Sequence, residues 1–264
     1  MPSITTTDGT RIHYSDSGGE GPPLLFVHGW CGRLEHWEPQ ARAFRRSHRV
    51  VRLDLRGHGR SSAPHSAYSR EEFAGDVAEL IRALDLRDVT IVGHSMGGPI
   101  VLDAAWLEPE RVRAFVIVDS DIIRSVVQGA PDTHPWMRAI ADDYEQQIPR
   151  HLLFSLGLWK GHHPALRERI ARDALRTPVH VGLGAMRHAI LGSATRPEWS
   201  ALDMPALYVN SSRSAFDEPA LCTVLPKAEF AQAVGSGHWV QLEVPDQFNA
   251  MLRNFLERLP ARRG

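Results

Sequence analysis

The sequence predicts an α/β protein built on a mostly parallel, doubly wound sheet. Two observations carry that prediction. Short apolar runs alternate with stretches of helical periodicity along most of the chain, the pattern of successive βαβ units. Strand runs also lack polar alternation, as in Pro23-Leu24-Leu25-Phe26-Val27, apolar along its whole length, and from Val89 to Val92, where only Thr90 is polar. A strand without polar alternation is buried on both faces, as a parallel sheet covered by helices requires.

The elements follow in order. Arg11-Ile12-His13-Tyr14-Ser15 alternates as a strand, and Ser17-Gly18-Gly19-Glu20-Gly21-Pro22 turns the chain. Pro23–Val27 is a buried strand ending in His28-Gly29-Trp30, and 36–44 reads as a helix. Arg49–Leu55 is a strand, followed by the polar glycine loop Arg56-Gly57-His58-Gly59-Arg60-Ser61-Ser62. Ser69 and Glu72 form a capping box before a helix whose buried stripe is Phe73, Val77, Leu80, Ile81 and Leu84. The Val89–Val92 strand and a helix carrying Ile100, Val101, Ala104, Ala105 and Leu107 come next, then the strand Arg113–Val118, ending at Asp119-Ser120-Asp121. Residues 122–200 break the rhythm: they are helical in character, with prolines and many aromatics, and read as an inserted helical cap. The strand Pro205–Val209, the strand Ala228–Val234, the loop Gly235-Ser236-Gly237-His238-Trp239 and a last helix with Phe248, Met251, Leu252, Phe255, Leu256 and Leu259 on one face complete the chain. The expected division is therefore a core of 1–121 and 201–264 with a cap of 122–200.

Composition narrows the function classes. With 264 residues, 43% hydrophobic and 23% charged, the chain suits one large globular domain with an insertion. A formal net charge of −1 gives no hold on nucleic acid or an anionic membrane, and no apolar run could span a bilayer. The first residues lack a basic region and an apolar core, so no signal peptide is expected. Two cysteines, Cys31 and Cys222, suit a reducing cytoplasm better than a disulfide framework. The cap histidines His134, His151, His162, His163, His180 and His188 have no zinc-motif spacing, so neither a metal nor a cofactor is expected. The partner expected is a small-molecule substrate; the oligomeric state is left open, a homodimer included.

The chemistry concentrates at Gly93-His94-Ser95-Met96-Gly97. A G-x-S-x-G pentapeptide between a strand and a helix is a nucleophile elbow: a tight turn that holds a serine out at the strand end. Side chains two residues before and after the serine would collide as strand and helix pass, which explains Gly93 and Gly97.

With this elbow, the chain resembles the α/β-hydrolases of the serine-nucleophile, esterase and lactonase-like branch. Four motifs carry the likeness: His28-Gly29-Trp30, Asp54-Leu55-Arg56-Gly57-His58-Gly59-Arg60-Ser61, the elbow at Ser95, and Gly237-His238-Trp239. The resemblance implies an eight-stranded sheet with a helical cap, and a cofactor-free hydrolase of a carboxylic ester or lactone working through an acyl-enzyme. Ser95 is then the nucleophile and His238 the base. The backbone N–H groups of Trp30 and Met96 form the oxyanion hole. His28, His58 and His94 support loops. The acid departs from the commonest pattern, because the loop after Val209 begins Asn210-Ser211-Ser212 and Asp217 comes late. Asp119 is preferred, with Asp217 and Asp121 left as alternatives. Trp30, Trp136, Phe154, Leu158, Trp159 and Met186 are pocket candidates, against the reading that they only pack the cap. Three other readings stay open: a carbon–carbon bond hydrolase, a cofactor-independent oxygenase, and a hydrolase-fold ligand-binding protein. A dehalogenase or epoxide hydrolase would need an aspartate where Ser95 stands.

Overall fold

The computed structural model describes residues 2–123, 134–152, 163–212 and 217–260, with the side chain of Trp136 excepted. Its centre is an eight-stranded sheet. The strands are β1 (Ser3–Thr5), β2 (Arg11–Asp16), β3 (Pro23–Val27), β4 (Arg49–Leu53), β5 (Val89–His94), β6 (Val112–Val118), β7 (Ala206–Asn210) and β8 (Ala228–Gln232). They lie in the order β1-β2-β4-β3-β5-β6-β7-β8. The β1–β2 and β2–β4 pairs are antiparallel; every other pair is parallel. The fold class read from the apolar runs is the one observed, with one strand unread: β1, a three-residue edge too short to show alternation.

The side-chain period of two divides the core between the two faces of the sheet. Leu25 and Val27 of β3, Ile91 of β5, and Phe115 and Ile117 of β6 face one apolar cluster. It includes Phe73, Val77, Leu80 and Ile81 of α2 (Arg70–Ala83) and Ile100, Val101 and Leu102 of α3 (Gly97–Leu107). Leu24, Phe26, Val92, Ala114, Val116 and Val118 point the other way. There they meet Ala41 and Phe44 of α1 (Glu38–Phe44) and Phe248, Leu252 and Phe255 of a C-terminal helix, Pro245–Glu257. Helix α2 starts at the capping box, with Ser69 Oγ accepting the Glu72 N–H and Glu72 accepting the Ser69 N–H.

Between β6 and β7 the chain leaves the sheet. The described part holds α4 (Pro135–Asp142), α5 (Tyr144–Arg150), α6 (Pro164–Ala174), α7 (Val179–Gly184), a π-helical turn over Ala185–Leu191 and a 3-10 turn over Pro197–Ala201. Helix α8 (Glu218–Val224) joins β7 to β8, and the one-turn helix α9 (Val240–Glu243) precedes the C-terminal helix, α10. Among the described residues, no helix is long and apolar enough to cross a membrane.

Candidate active site

The ends of β3, β5, β6 and β7 converge at the elbow. Ser95 sits between β5 and α3 with φ of +52°, a left-handed conformation that costs a side-chain-bearing residue energy and is held by its surroundings. Its N–H donates to Val118 O at 2.9 Å. Its carbonyl accepts the Gly98 N–H at 2.8 Å and the Ser120 hydroxyl at 2.6 Å. The flanking glycines answer to backbone contacts. A Cβ on Gly93 would lie 2.2 Å from Gly97 O, and one on Gly97 would lie 2.8 Å from Val27 O. Only glycine lets the strand and helix close this way.

His238 follows β8 on its glycine loop, its side chain 11% exposed, and Asp119 is 6% exposed just past β6. Their contact is His238 Nδ1 to Asp119 Oδ2, 2.7 Å. An ionised carboxylate only accepts, so the proton sits on Nδ1 and the Nε2 lone pair is left free. The other Asp119 oxygen accepts the Ser211 N–H at 2.8 Å, which locks the carboxylate plane. Asp119 itself has φ of +41° and donates its N–H to Val209 O. The two alternative carboxylates lie elsewhere. Asp217 caps α8, accepting the Ala220 N–H, and Asp121 is exposed. Ser95 Oγ donates no hydrogen bond to His238 among the described residues.

The loop after β3 packs onto the serine: a Cβ on Gly29 would lie 3.0 Å from Ser95 Cβ. His28 braces this loop, with Nδ1–H donating to Gly29 O at 2.8 Å and Nε2 accepting the Leu55 N–H at 3.0 Å. That pattern requires a neutral ring, and burial pushes the His28 pKa well down. His58 donates Nδ1–H to Arg56 O, and burial lowers it to about 4. Neither the Trp30 nor the Met96 N–H donates to a backbone carbonyl among the described residues, and Met96 caps the N-terminus of α3. Met96 directly follows the serine at the N-terminus of α3, where the helix end favours negative charge. Beside Trp30, burial pushes the Cys31 thiol up to about 12, so it is no competing nucleophile.

The pocket candidates divide. The side chain of Trp136, and Phe154, Leu158 and Trp159, lie outside the described residues. Trp30 is 2% exposed, donates Nε1–H to Gly182 O at 2.9 Å and meets the His151 ring edge-on at 5.6 Å. Met186, equally buried, joins the same apolar cluster as Trp30. Sequence reasoning missed four residues that the structure brings here. His151 reaches Trp30 from the helical insertion, and burial with the nearby His238 lowers its pKa to about 4. The Ser120 hydroxyl holds the Ser95 carbonyl, and the Ser211 N–H holds the Asp119 carboxylate. Glu243 accepts the N–H groups on both sides of His238. Only their nearness in sequence to Asp119, Asn210 and His238 could have pointed to the last three; nothing signalled His151. Among the described residues no group of three or more His, Cys, Asp or Glu side chains is placed to hold a metal. A groove of about 700 Å³, lined by Arg87, Trp106, Arg113 and Met204 among others, opens at the opposite end of the sheet and holds none of these residues.

The chain is similar to a non-heme chloroperoxidase of Streptomyces lividans, 42% identical over 123 residues. That match covers 46% of this chain and 45% of the relative, so it spans under half of each. Among solved structures, the enol-lactonase of Burkholderia xenovorans LB400 superposes with a TM-score of 0.86 at 23% identity, over 97% of this chain and 100% of the other. Est816, an N-acyl homoserine lactone degrading enzyme, gives a TM-score of 0.81 at 27% identity, over 96% and 100%. A family model described as the alpha/beta hydrolase fold matches residues 22–245, which takes in the elbow, the Asp119–His238 pair and the insertion between β6 and β7. The chain belongs to the α/β-hydrolase family.

Proposed function

We propose that the protein is a cofactor-free serine hydrolase of carboxylic esters or lactones, with Ser95 as nucleophile, His238 as general base and Asp119 as the acid. The observation that carries this reading is the 2.7 Å Asp119–His238 contact beside a serine held at φ of +52°. The Nε2 of His238, left as an acceptor, takes the Ser95 proton as Oγ attacks the carbonyl carbon. Asp119 holds the reactive tautomer and stabilises the imidazolium. The developing oxyanion sits on the N–H groups of Trp30 and Met96, each worth roughly 3 kcal/mol in the transition state. The imidazolium returns its proton to the leaving oxygen, which departs and leaves an ester on Ser95. Water, deprotonated by His238, then attacks that ester and frees the acid product and the serine.

The insertion between β6 and β7, residues 122–200, acts through its described helices as the cap over this centre. We take Trp30 and Met186 as part of an apolar pocket for a mid-sized acyl or lactone substrate, to which the sequence adds Trp136, Phe154, Leu158 and Trp159 as candidates. The likeness to an N-acyl homoserine lactone degrading enzyme supports ester or lactone chemistry. The free thiols Cys31 and Cys222 fit a cytoplasmic setting.

Hydrolysis of p-nitrophenyl esters of increasing acyl length, with EDTA present, tests the proposal. Wild type should turn over with a chain-length optimum set by the pocket, and Ser95→Ala should not. Turnover that survives Ser95→Ala would sink it. Folded wild type that is inert on every ester but cleaves a diketone would move the chemistry to carbon–carbon bonds.

A further inference from the structure

The base of such a site stands on a glycine-rich loop. Gly235, with φ of +76°, and Gly237 precede His238, and the bond to Asp119 fixes only one ring nitrogen. Transition-state geometry tolerates little error in the other, since a misplacement of about 1 Å can cost on the order of a hundredfold in rate. Something must therefore hold the main chain from which the ring hangs.

We propose that Glu243 and His94 are positioning residues that brace the His238 backbone at three points. The Glu243 carboxylate, 5% exposed at the end of α9, accepts the Gly237 N–H on Oε2 and the Trp239 N–H on Oε1, both at 3.0 Å. It grips the peptides on both sides of the base. His94, 1% exposed, donates Nε2–H to the carbonyl of His238 itself at 2.8 Å. Its ring lies 4.7 Å from that of His238 and 5.0 Å from that of Trp239. His94 immediately precedes Ser95. The third point of the brace therefore registers the base loop against the nucleophile strand, so that Ser95 and His238 cannot drift independently. The two bonds to Glu243 lie out of water and the one from His94 is partly buried, so losing a partner strands a polar group with little solvent to replace it. Burial keeps His94 neutral at ordinary pH, which fits a ring that gives one N–H and is not charged.

This inference rests on the proposed role of His238 but is tested by a readout that does not need turnover. The proton on His238 Nδ1, bonded to Asp119, gives a far-downfield resonance that sharpens when the ring is held and broadens when it moves. The experiment compares wild type, Glu243→Gln, His94→Phe and His94→Gln by that resonance, by kcat and KM on the best p-nitrophenyl ester, and by Tm. Glutamine at 243 turns an amide donor toward an N–H; phenylalanine at 94 has no donor; glutamine at 94 keeps one within reach of the same carbonyl. Glu243→Gln and His94→Phe should broaden the resonance and lower kcat by about 10- to 100-fold, with KM within about twofold. His94→Gln should keep a sharp resonance and most of the activity. A sharp resonance in all three variants, or His94→Gln as impaired as His94→Phe, would overturn the brace. If Glu243→Gln does not fold, the two His94 variants decide alone. Inert wild type with the broadening pattern intact would refute the hydrolase reading and leave the brace standing.

Discussion

The elbow and the helical insertion are held in opposite ways. Around Ser95 the steric constraints run from backbone to backbone. Gly93 faces Gly97 O, Gly97 faces Val27 O, and Ser95 is held at φ of +52° with its N–H bonded to Val118 O. The insertion is tied to the core by side chains. Trp30 reaches Gly182 O, Arg33 and His36 reach Asp173 at 3.5 and 3.3 Å, and Arg169 reaches Glu35 O. Asp103 receives Arg70 and Trp199, both at 2.8 Å. A backbone contact admits almost no substitution, whereas a side-chain tie can be exchanged for another. The elbow is thus fixed by contacts that few side chains could replace, and the insertion by contacts that other side chains could make.

The sharpest break of this contrast is at the acid. Asp119→Asn should lower kcat by about 10⁴-fold, since the amide presents the wrong partner to His238 Nδ1–H, while Asp217→Asn, at a helix cap, should leave kcat nearly unchanged. Steady-state kinetics on one ester separates the two. Gly93→Ala comes next. Its methyl group meets a carbonyl, so the elbow must open, with a loss of about 1–3 kcal/mol in stability and of roughly a hundredfold or more in kcat. Denaturant midpoint and turnover read both losses together.

On the insertion side the effects should shrink and change character. Trp199→Phe removes one buried N–H donor to Asp103 while Arg70 keeps its hold, so stability should fall by about 1–3 kcal/mol with kcat changed little. A kcat loss matching that of Gly93→Ala would erase the distinction between the two regions.

Acid should act on both regions at once. Burial holds His58 in the core and His151 in the insertion at about 4 instead of 6.5, so each is neutral in the fold and protonates in the unfolded chain first. Their stabilising share is complete above 6.5 and is lost as pH falls toward about 4, at up to about 1.4 kcal/mol per pH unit for each. Urea midpoints between about pH 7.5 and 4.5 should fall, and His151→Gln should remove only its own part of the slope.

Legibility in the sequence follows the same division. The sheet could be read because burial on both faces forces unbroken apolar runs, as in Pro23–Val27. The elbow could be read because steric need writes Gly93 and Gly97 into the chain. The order of strands, with β4 placed between β2 and β3, is a property of pairing that no single run displays. Glu243 and Ser120 were not legible as parts of the site: their value lies in which backbone groups they meet, and a glutamate five residues after a histidine carries no such mark. His151 was one of six cap histidines with nothing in their spacing to set it apart, and only the fold brings it to Trp30. The edge strand β1 has three residues, fewer than an alternation needs to show itself.

The central claim is that Ser95 is an activated nucleophile, and covalent capture tests it most directly. Intact protein treated with an alkyl fluorophosphonate should gain one adduct per chain, mapped by mass spectrometry to the peptide holding Ser95, with labelling lost in Ser95→Ala and slowed strongly in Asp119→Asn. Folded protein that stays unlabelled, or an adduct on any other residue, would contradict the account.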